Sequence, residues 1–141
     1  MRDEIAIAPE MAMIHPETGA LLTRQRRMET VEYMGRKKVV EVLGFYPEDD
    51  GDAVFIGSDA DPMDEAFREL RALYQAEMKA LAKSVRKSAN LTQKEASLLL
   101  TGSPNSFSKY ERGEAQPSWP TFLLLKLLAQ DPSLIDKIKA A

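Results

Sequence analysis

The side chains best suited to chemistry lie on a short polar segment near the C-terminus. Asn105, Ser106 and Lys109 fall within about one turn of a predicted helix, so they share a face. Asparagine can form paired hydrogen bonds with adenine, lysine can donate to guanine acceptors or to phosphate, and serine can contact either. This face predicts contact with double-stranded DNA, and a solvated helix surface is the alternative for the same residue types.

The first of two short helices places further polar groups beside this face. Thr92 and Glu95 have the spacing of a capping box, which predicts a helix that runs to about Leu100. Thr92 and Gln93 stand at its N-terminus, where free amides and the positive end of the helix dipole suit a phosphate group. Both residues are therefore expected to contact the DNA backbone.

The second helix is expected to carry the base-reading face. Thr101-Gly102 predicts a tight turn, after which Ser103 can cap a helix over Pro104 to Arg112 that Gly113 ends. Two short helices joined by a glycine turn are typical of a helix-turn-helix unit, whose second helix lies in the major groove. The predicted DNA-binding residues are Thr92, Gln93, Ser103, Asn105, Ser106, Lys109 and Arg112.

Three other helices are predicted around this unit. Asp61 as N-cap and Pro62 as first helical residue start a long stretch with apolar residues at helical spacing to about Val85, and the pattern allows one helix or two. Ser118 caps a leucine-rich helix, and Asp131-Pro132 starts a last one. The apolar surface of the leucine-rich helix is wider than one stripe, so part of it is expected to form a homodimer interface.

The N-terminal part has the pattern of strands. Leu22 to Tyr46 contain many β-branched and aromatic residues without a long helical period. Met34-Gly35-Arg36 divides Thr30 to Tyr33 from Lys38 to Tyr46, which predicts a β-hairpin. Ala53 to Ile56 is a candidate third strand. Residues 1 to about 20 have no sustained period and are expected to be irregular.

Composition and charge limit the class of protein. The chain has 141 residues, no cysteine and one histidine, which excludes disulfides, thiolate nucleophiles and cysteine-based zinc fingers. Its net charge of -3 is uneven, because residues 1–63 have 7 Lys/Arg against 13 Asp/Glu, whereas residues 64–141 have 12 against 9. A basic C-terminal part beside an acidic N-terminal part indicates that the C-terminal part faces nucleic acid.

Enzymatic activity, a cofactor and a membrane location are not expected. The sequence has no glycine-rich phosphate loop and no nucleophile elbow, and it offers a single histidine. No apolar run approaches the roughly 18 residues that span a bilayer, and Met1 to Glu10 lack the layout of a signal peptide. The protein is therefore expected in the cytoplasm.

The segment from Leu91 to Leu128 resembles the Cro/repressor-type helix-turn-helix of MqsA-like antitoxins. The matching residues are Leu91-Thr92-Gln93-Lys94-Glu95-Ala96-Ser97, Asn105-Ser106-Phe107-Ser108-Lys109-Tyr110-Glu111-Arg112-Gly113 and Ala115-Gln116-Pro117-Ser118. Tyr33-Met34-Gly35-Arg36-Lys37 and Gly44-Phe45-Tyr46 are similar to the N-terminal domain of that family. The resemblance implies a dimeric autorepressor that also binds a toxin protein, and a stand-alone repressor without a toxin is the alternative.

One departure from the family pattern concerns the DNA contact. Members of the family read their operator through an asparagine and an arginine, and the resemblance carries these roles to Asn105 and Lys109. Lysine keeps the charge of arginine but loses the planar fork that pairs with guanine. The base preference of this chain is therefore expected to differ.

A second departure concerns a metal. The family holds a structural zinc with two cysteine-containing pairs, whose neighbourhoods here read His15-Pro16-Glu17-Thr18 and Pro47-Glu48-Asp49-Asp50. A metal on His15 with Asp49 or Asp50 is conceivable, but zinc prefers soft or nitrogen ligands, so no metal site is predicted. Packing of the hairpin against the long helix is expected to replace the metal.

Positions 48 to 65 form an acidic segment without Lys or Arg. Its carboxylates are Glu48, Asp49, Asp50, Asp52, Asp59, Asp61, Asp64 and Glu65. Such a segment can steer towards the basic surface of a toxin that cleaves RNA, or it can be a solvated loop and helix start. The two interpretations are equally compatible with the sequence.

The whole sequence predicts an α+β protein in two parts joined by a long helix. Residues 1–62 are expected to form an acidic, partner-binding part with a β-hairpin, and residues 63–141 a five-helix domain that binds DNA and dimerises. The predicted function is that of a symmetric dimeric repressor on a palindromic operator.

Overall fold

The computed structural model describes residues 11–141 and confirms the α+β class, with three strands followed by five helices in that range. The elements are β1 (Ala12–Ile14), β2 (Leu21–Tyr33), β3 (Arg36–Tyr46), α1 (Asp61–Ser88), α2 (Gln93–Thr101), α3 (Ser106–Arg112), α4 (Trp119–Gln130) and α5 (Leu134–Ala140). The chain divides into two compact units after Leu70, within α1. No helix of residues 11–141 has both the length and the apolar character that membrane crossing requires.

Strands β2 and β3 form the predicted hairpin around a two-residue turn. Met34 and Gly35 both have positive φ, 49° and 84°, as a type I′ turn requires to match the twist of the strands. The first arm is much longer than predicted, because β2 begins at Leu21 rather than Thr30. Arginines in this arm weaken the apolar alternation, but two of them are held by the sheet and its loops, as the contacts of Arg24 and Arg27 show.

The third strand of the antiparallel sheet lies elsewhere than predicted. β1 pairs with β2 in the order β1-β2-β3, so part of the segment expected to be irregular is a strand. Ala53 to Ile56, the expected third strand, contributes only an isolated bridge between Val54 and Phe45. Gly57, with φ 55°, turns the chain away directly after this run.

Two arginines fix the loops of the first unit. Arg24 donates two hydrogen bonds to the Asp59 carboxylate, at 2.6 and 2.8 Å, and its guanidinium lies 4.7 Å from the centre of the Phe45 ring. Arg27 stacks over Tyr46 and donates to the backbone carbonyls of Pro47 and Asp49. Side chains of the sheet thereby hold the segment between β3 and α1.

Burial and Arg24 have opposite effects on Asp59. Burial raises the pKa of its carboxyl, but hydrogen bonds from Arg24 and from the Ile56 amide outweigh burial and hold the pKa below its usual value. Asp59 is therefore ionised inside the unit and unavailable to a partner, unlike the other seven carboxylates of the acidic segment, which are exposed.

Helix α1 is continuous, which answers the question that the sequence pattern left open. It begins at Asp61, the residue expected to precede it as N-cap, so the predicted start is one residue late. The helix ends in a left-handed turn at Asn90, with φ 56°, and the Leu91 amide donates to the Arg86 carbonyl at 3.0 Å.

The core of the second unit is formed by α1 and the four shorter helices. Its buried apolar residues are Tyr74, Met78, Ala82, Val85, Ala96, Phe107, Phe122, Leu125, Leu128 and Ile135. Ser118 caps α4 as predicted, accepting from the Thr121 amide. α5 begins at Leu134 rather than at Asp131, because Asp131 ends α4 and its carboxylate accepts from the Ser133 amide at 3.2 Å.

Candidate nucleic-acid interface

The predicted capping box at the start of α2 is confirmed. The Glu95 amide donates to the Thr92 hydroxyl at 3.0 Å, and the Thr92 amide donates to the Glu95 carboxylate at 2.8 Å. The helix ends before Gly102, whose φ of 76° lies in the left-handed region that favours glycine. Thr92 is therefore occupied by its cap, while Gln93 follows it on the exposed N-terminal turn.

The start of α3 differs from the prediction. Ser103 does not cap this helix and Pro104 is not its first residue, because α3 begins at Ser106 with Asn105 as the N-cap. The Ser103 amide instead donates to the Thr101 hydroxyl at 3.3 Å, which keeps Ser103 in the turn. The Asn105 side chain is exposed and makes no capping hydrogen bond, so the helix start leaves its amide group available.

The Ser106 side chain forms hydrogen bonds within the turn between α2 and α3. Its hydroxyl donates to the Ser103 carbonyl at 3.1 Å and also contacts the Thr101 hydroxyl. The side chain is half-buried, whereas the other six predicted DNA-binding residues are exposed. The turn between α2 and α3 is thus held by hydroxyl groups from both helices.

Lys109 and Arg112 differ in their surroundings on α3. Lys109 lies one turn after Asn105, and its amide donates to the Asn105 carbonyl at 3.2 Å, so the two exposed side chains project from neighbouring turns. Arg112 is paired with Glu114 through two nitrogens, one of them at 3.1 Å, and contacts Ser108. Glu114 therefore partly offsets the charge of Arg112, whereas the Lys109 side chain is exposed to solvent.

The angle between α2 and α3 is set by a buried hydroxyl. Ser97 is fully buried, donates to the Gln93 carbonyl at 2.6 Å and accepts from the Phe107 amide at 2.8 Å. Phe107 is itself fully buried, so this bond fixes the first turn of α3 against the middle of α2. A buried amide that needs a partner makes this contact obligatory.

A second link joins α1, α2 and α3. Arg86 donates to both oxygens of the Glu111 carboxylate, at 2.7 and 2.9 Å, and to the Leu91 carbonyl at 3.3 Å. Gln93 donates to the same carboxylate at 3.2 Å. Glu111 therefore orients the side chain that the sequence assigns to a DNA phosphate.

The charges of this link support each other. The Arg86 guanidinium holds the pKa of the Glu111 carboxyl below its usual value, and Glu111 raises the pKa of Arg86 in return. Both side chains are largely buried, at 16% and 8% exposure. The Glu111 carboxylate is therefore ionised, and the Arg86 guanidinium balances its charge.

These positioning residues were missed by sequence reasoning. Ser97 is a polar residue flanked by the apolar residues Ala96 and Leu98 in the middle of α2. A polar residue inside an apolar helical run is the signal from which its role could have been predicted. Glu111 carried a weaker signal, as the only acidic residue of α3. Nothing in the sequence pattern pairs Glu111 with Arg86, which lies 25 positions earlier.

The residues present do not fit a structural zinc. The chain has no thiolate to offer, and its single histidine, His15, is buried with Nδ1 accepting from the amides of Glu17 and Thr18, at 3.0 and 3.3 Å. Within residues 11–141 no group of three His, Cys, Asp or Glu side chains comes together. His15 closes the β1–β2 turn, and Arg27 holds the loop at Pro47, the two segments that the sequence resemblance compares with cysteine pairs.

Comparison with known proteins identifies the family of the chain. The family model described as the antitoxin component of bacterial toxin-antitoxin system, MqsA, matches residues 15–139. The antitoxin MqsA of Escherichia coli (strain K12) is 36% identical over 110 residues, which are 76% of this chain and 84% of that protein. The chain belongs to the MqsA antitoxin family.

Proposed function

We propose that this antitoxin-family protein is a dimeric repressor that binds a palindromic operator of its own operon and also binds a toxin protein. The observation that carries the DNA-binding part is the exposed Asn105 side chain, which makes no capping hydrogen bond at the start of α3. Ser97 holds this helix in place. A side-chain amide that serves no cap is free for paired hydrogen bonds with a base. Family membership supports the toxin-binding part.

The contacts divide into two classes. Asn105, at the N-cap of α3, and Lys109, one turn later, face base edges in the major groove. Gln93 and the free amides of the first turn of α2 face a phosphate, which fixes the register of the protein on the duplex. Ser103 and Arg112 flank this surface, while Thr92 and Ser106 shape it through their hydroxyl groups.

A second copy of the chain completes the DNA contact. Trp119, Leu123 and Leu127 follow one stripe of α4 and are 41%, 42% and 53% exposed, which is unusual for large apolar side chains on one face. This stripe is the proposed dimer interface, and a two-fold dimer matches a palindromic operator. Sedimentation should show a dimer that Leu123→Glu dissociates, whereas Leu73→Glu, at another exposed leucine, should leave it intact.

The DNA-binding part is tested with the full-length chain. A duplex from the region upstream of its own gene and a scrambled duplex of equal length are titrated at one fixed salt concentration. Binding to the native duplex should be at least about a thousandfold tighter than to the scrambled one. Equal affinity for the two duplexes would contradict sequence-specific repression.

The acidic segment is the proposed approach surface for the toxin. Its exposed carboxylates, such as Asp50 and Asp52, would attract a basic partner and raise the association rate. The partner to test is the protein encoded next to this gene, co-purified with the full-length chain. Asp50→Asn with Asp52→Asn should slow association and weaken its salt dependence, while Glu32→Gln with Glu41→Gln, exposed on the strands, should not. Failure of the neighbouring protein to co-purify would favour a stand-alone repressor.

A further inference from the structure

A row of three lysines follows one side of α1 in the second unit. Lys79, Lys83 and Lys87 are spaced four residues apart, so they lie on neighbouring turns, and all three are exposed. In the part of the chain that the structure describes, none of them forms an ion pair or a side-chain hydrogen bond. No large apolar side chain of that part is exposed between Lys79 and Lys87.

The row runs beside the C-terminal end of the recognition helix. The stem of Lys79 lies against Gly113, the residue that ends α3, where its Cδ would be 3.3 Å from an added Cβ. Lys83 is close enough to Glu111 to help lower the pKa of that carboxyl, after the larger effect of Arg86. Two lysines of α1 thereby flank the helix that carries Asn105 and Lys109.

The carboxylates near this edge do not cancel the positive charge. Glu111 is neutralised by Arg86, and Glu114 is paired with Arg112, so both are already offset. Residues 71–141 carry eleven Lys/Arg against six Asp/Glu. The three lysines therefore carry positive charge that these two carboxylates do not offset, and a row of flexible ammonium groups without apolar neighbours suits a polyanion better than a folded protein surface.

We propose that Lys79 and Lys83 bind the phosphate backbone of DNA that flanks the base pairs read by α3. This inference rests on the proposed DNA-binding function and extends the contact from α2 and α3 to α1. Each ammonium neutralises one phosphate, which displaces a condensed counterion and adds affinity without sequence preference. Lys87 continues the row towards the start of α2.

The experiment is a salt titration of full-length protein on the native upstream duplex and on a scrambled duplex. Lys79→Gln with Lys83→Gln should lower affinity for both duplexes by the same factor and reduce the slope of log affinity against log salt by about two per subunit. Lys37→Gln with Lys38→Gln removes the same charge from the hairpin and should leave the slope unchanged. Lys79→Arg with Lys83→Arg should keep the slope of the unmodified protein, because a phosphate requires only the positive charge.

The outcomes separate this inference from the function on which it rests. An unchanged slope for the Lys79 and Lys83 variant overturns the lysine contact, and so does an equal reduction in the Lys37 and Lys38 control. Asn105→Ala, measured in parallel, should reduce the preference for the native duplex and keep its slope. If that preference exists and the lysine variant has a normal slope, only the present inference is wrong. If the unmodified protein binds neither duplex, both are wrong.

Discussion

The Ser97 hydroxyl and the Phe107 amide are joined by a hydrogen bond of 2.8 Å that connects α2 and α3. Ser97 also donates to the Gln93 carbonyl one turn earlier, so its position within α2 is fixed. The orientation of α3, and with it the direction of Asn105, depends on this contact between a small buried side chain and a backbone group.

Replacement of Ser97 tests that relationship. Ser97→Ala leaves the buried Phe107 amide without an acceptor, which should lower the free energy of unfolding by about 1 to 3 kcal/mol. Denaturant unfolding measures the change, and Ser84→Ala, at an exposed position on α1, should stay within about 0.5 kcal/mol of the unmodified protein. If both variants unfold alike, the hydroxyl does not support α3.

The Arg86–Glu111 pair predicts a dependence on pH. Because the folded-state pKa of Glu111 lies below the ordinary value of 4.5, its contribution to stability is present above pH 4.5 and is lost as the pH falls through the lowered pKa. Glu111→Gln should therefore reduce the loss of stability in acid, measured by denaturant unfolding between pH 7 and pH 3. An acid loss in Glu111→Gln equal to that of the unmodified protein would contradict this role of the pair.

A double variant separates the pair from its parts. Arg86→Gln leaves a largely buried carboxylate without its cation, at a cost of about 3 kcal/mol in unfolding free energy. Glu111→Gln added to it removes the stranded charge, so the double variant should be more stable than Arg86→Gln alone. If the loss of stability in the double variant equals the sum of the losses in the two single variants, the two residues act independently.

The buried Arg24–Asp59 ion pair should stabilise the first unit, as the Arg86–Glu111 pair stabilises the second. Asp59→Asn removes the charge that balances the buried Arg24 guanidinium, and this should destabilise the unit by about 3 kcal/mol. Asp61→Asn, at an exposed carboxylate two residues away, is the matched control. Hydrogen exchange of the β2 and β3 amides should accelerate in Asp59→Asn and remain slow in the control, and equal exchange would argue against a structural role.

Metal removal gives a further prediction. The loops at His15 and Pro47 are held by protein hydrogen bonds, so the purified protein should contain no stoichiometric zinc and its melting temperature should not change with a chelator. Elemental analysis and a thermal melt with and without chelator measure both. Bound zinc at one equivalent, or a sharp drop in melting temperature, would show that the donor set has been misjudged.

Local chemistry made the C-terminal helices predictable. The capping box of Thr92, the left-handed glycine at Gly113 and the cap at Ser118 each act within a few residues, and the structure confirms all three. The predicted start of α3 was wrong because Ser103 is a residue type that often caps helices, but in the folded turn its amide donates to the Thr101 hydroxyl and α3 begins only at Ser106.

The sheet and the positioning residues depended on distant contacts. β2 was predicted too short because Arg24 and Arg27 read as polar positions, and only Asp59, Phe45 and Tyr46 make them compatible with the sheet. Arg86 and Glu111 are far apart in the chain, so no local pattern pairs them. The base-contact roles of Asn105 and Lys109 were assigned from the sequence and stay predictions.

The central claim is that Asn105 reads a base, and one variant tests it most directly. Asn105→Ala is compared with the unmodified protein on the native upstream duplex and on a scrambled duplex, at one salt concentration. Because the Asn105 side chain makes no capping hydrogen bond, the fold should be unaffected, which a thermal melt checks. The variant should lose roughly 1 to 3 kcal/mol of binding free energy on the native duplex and little on the scrambled one. Native-duplex affinity equal to that of the unmodified protein would contradict the assignment of α3 as the recognition helix.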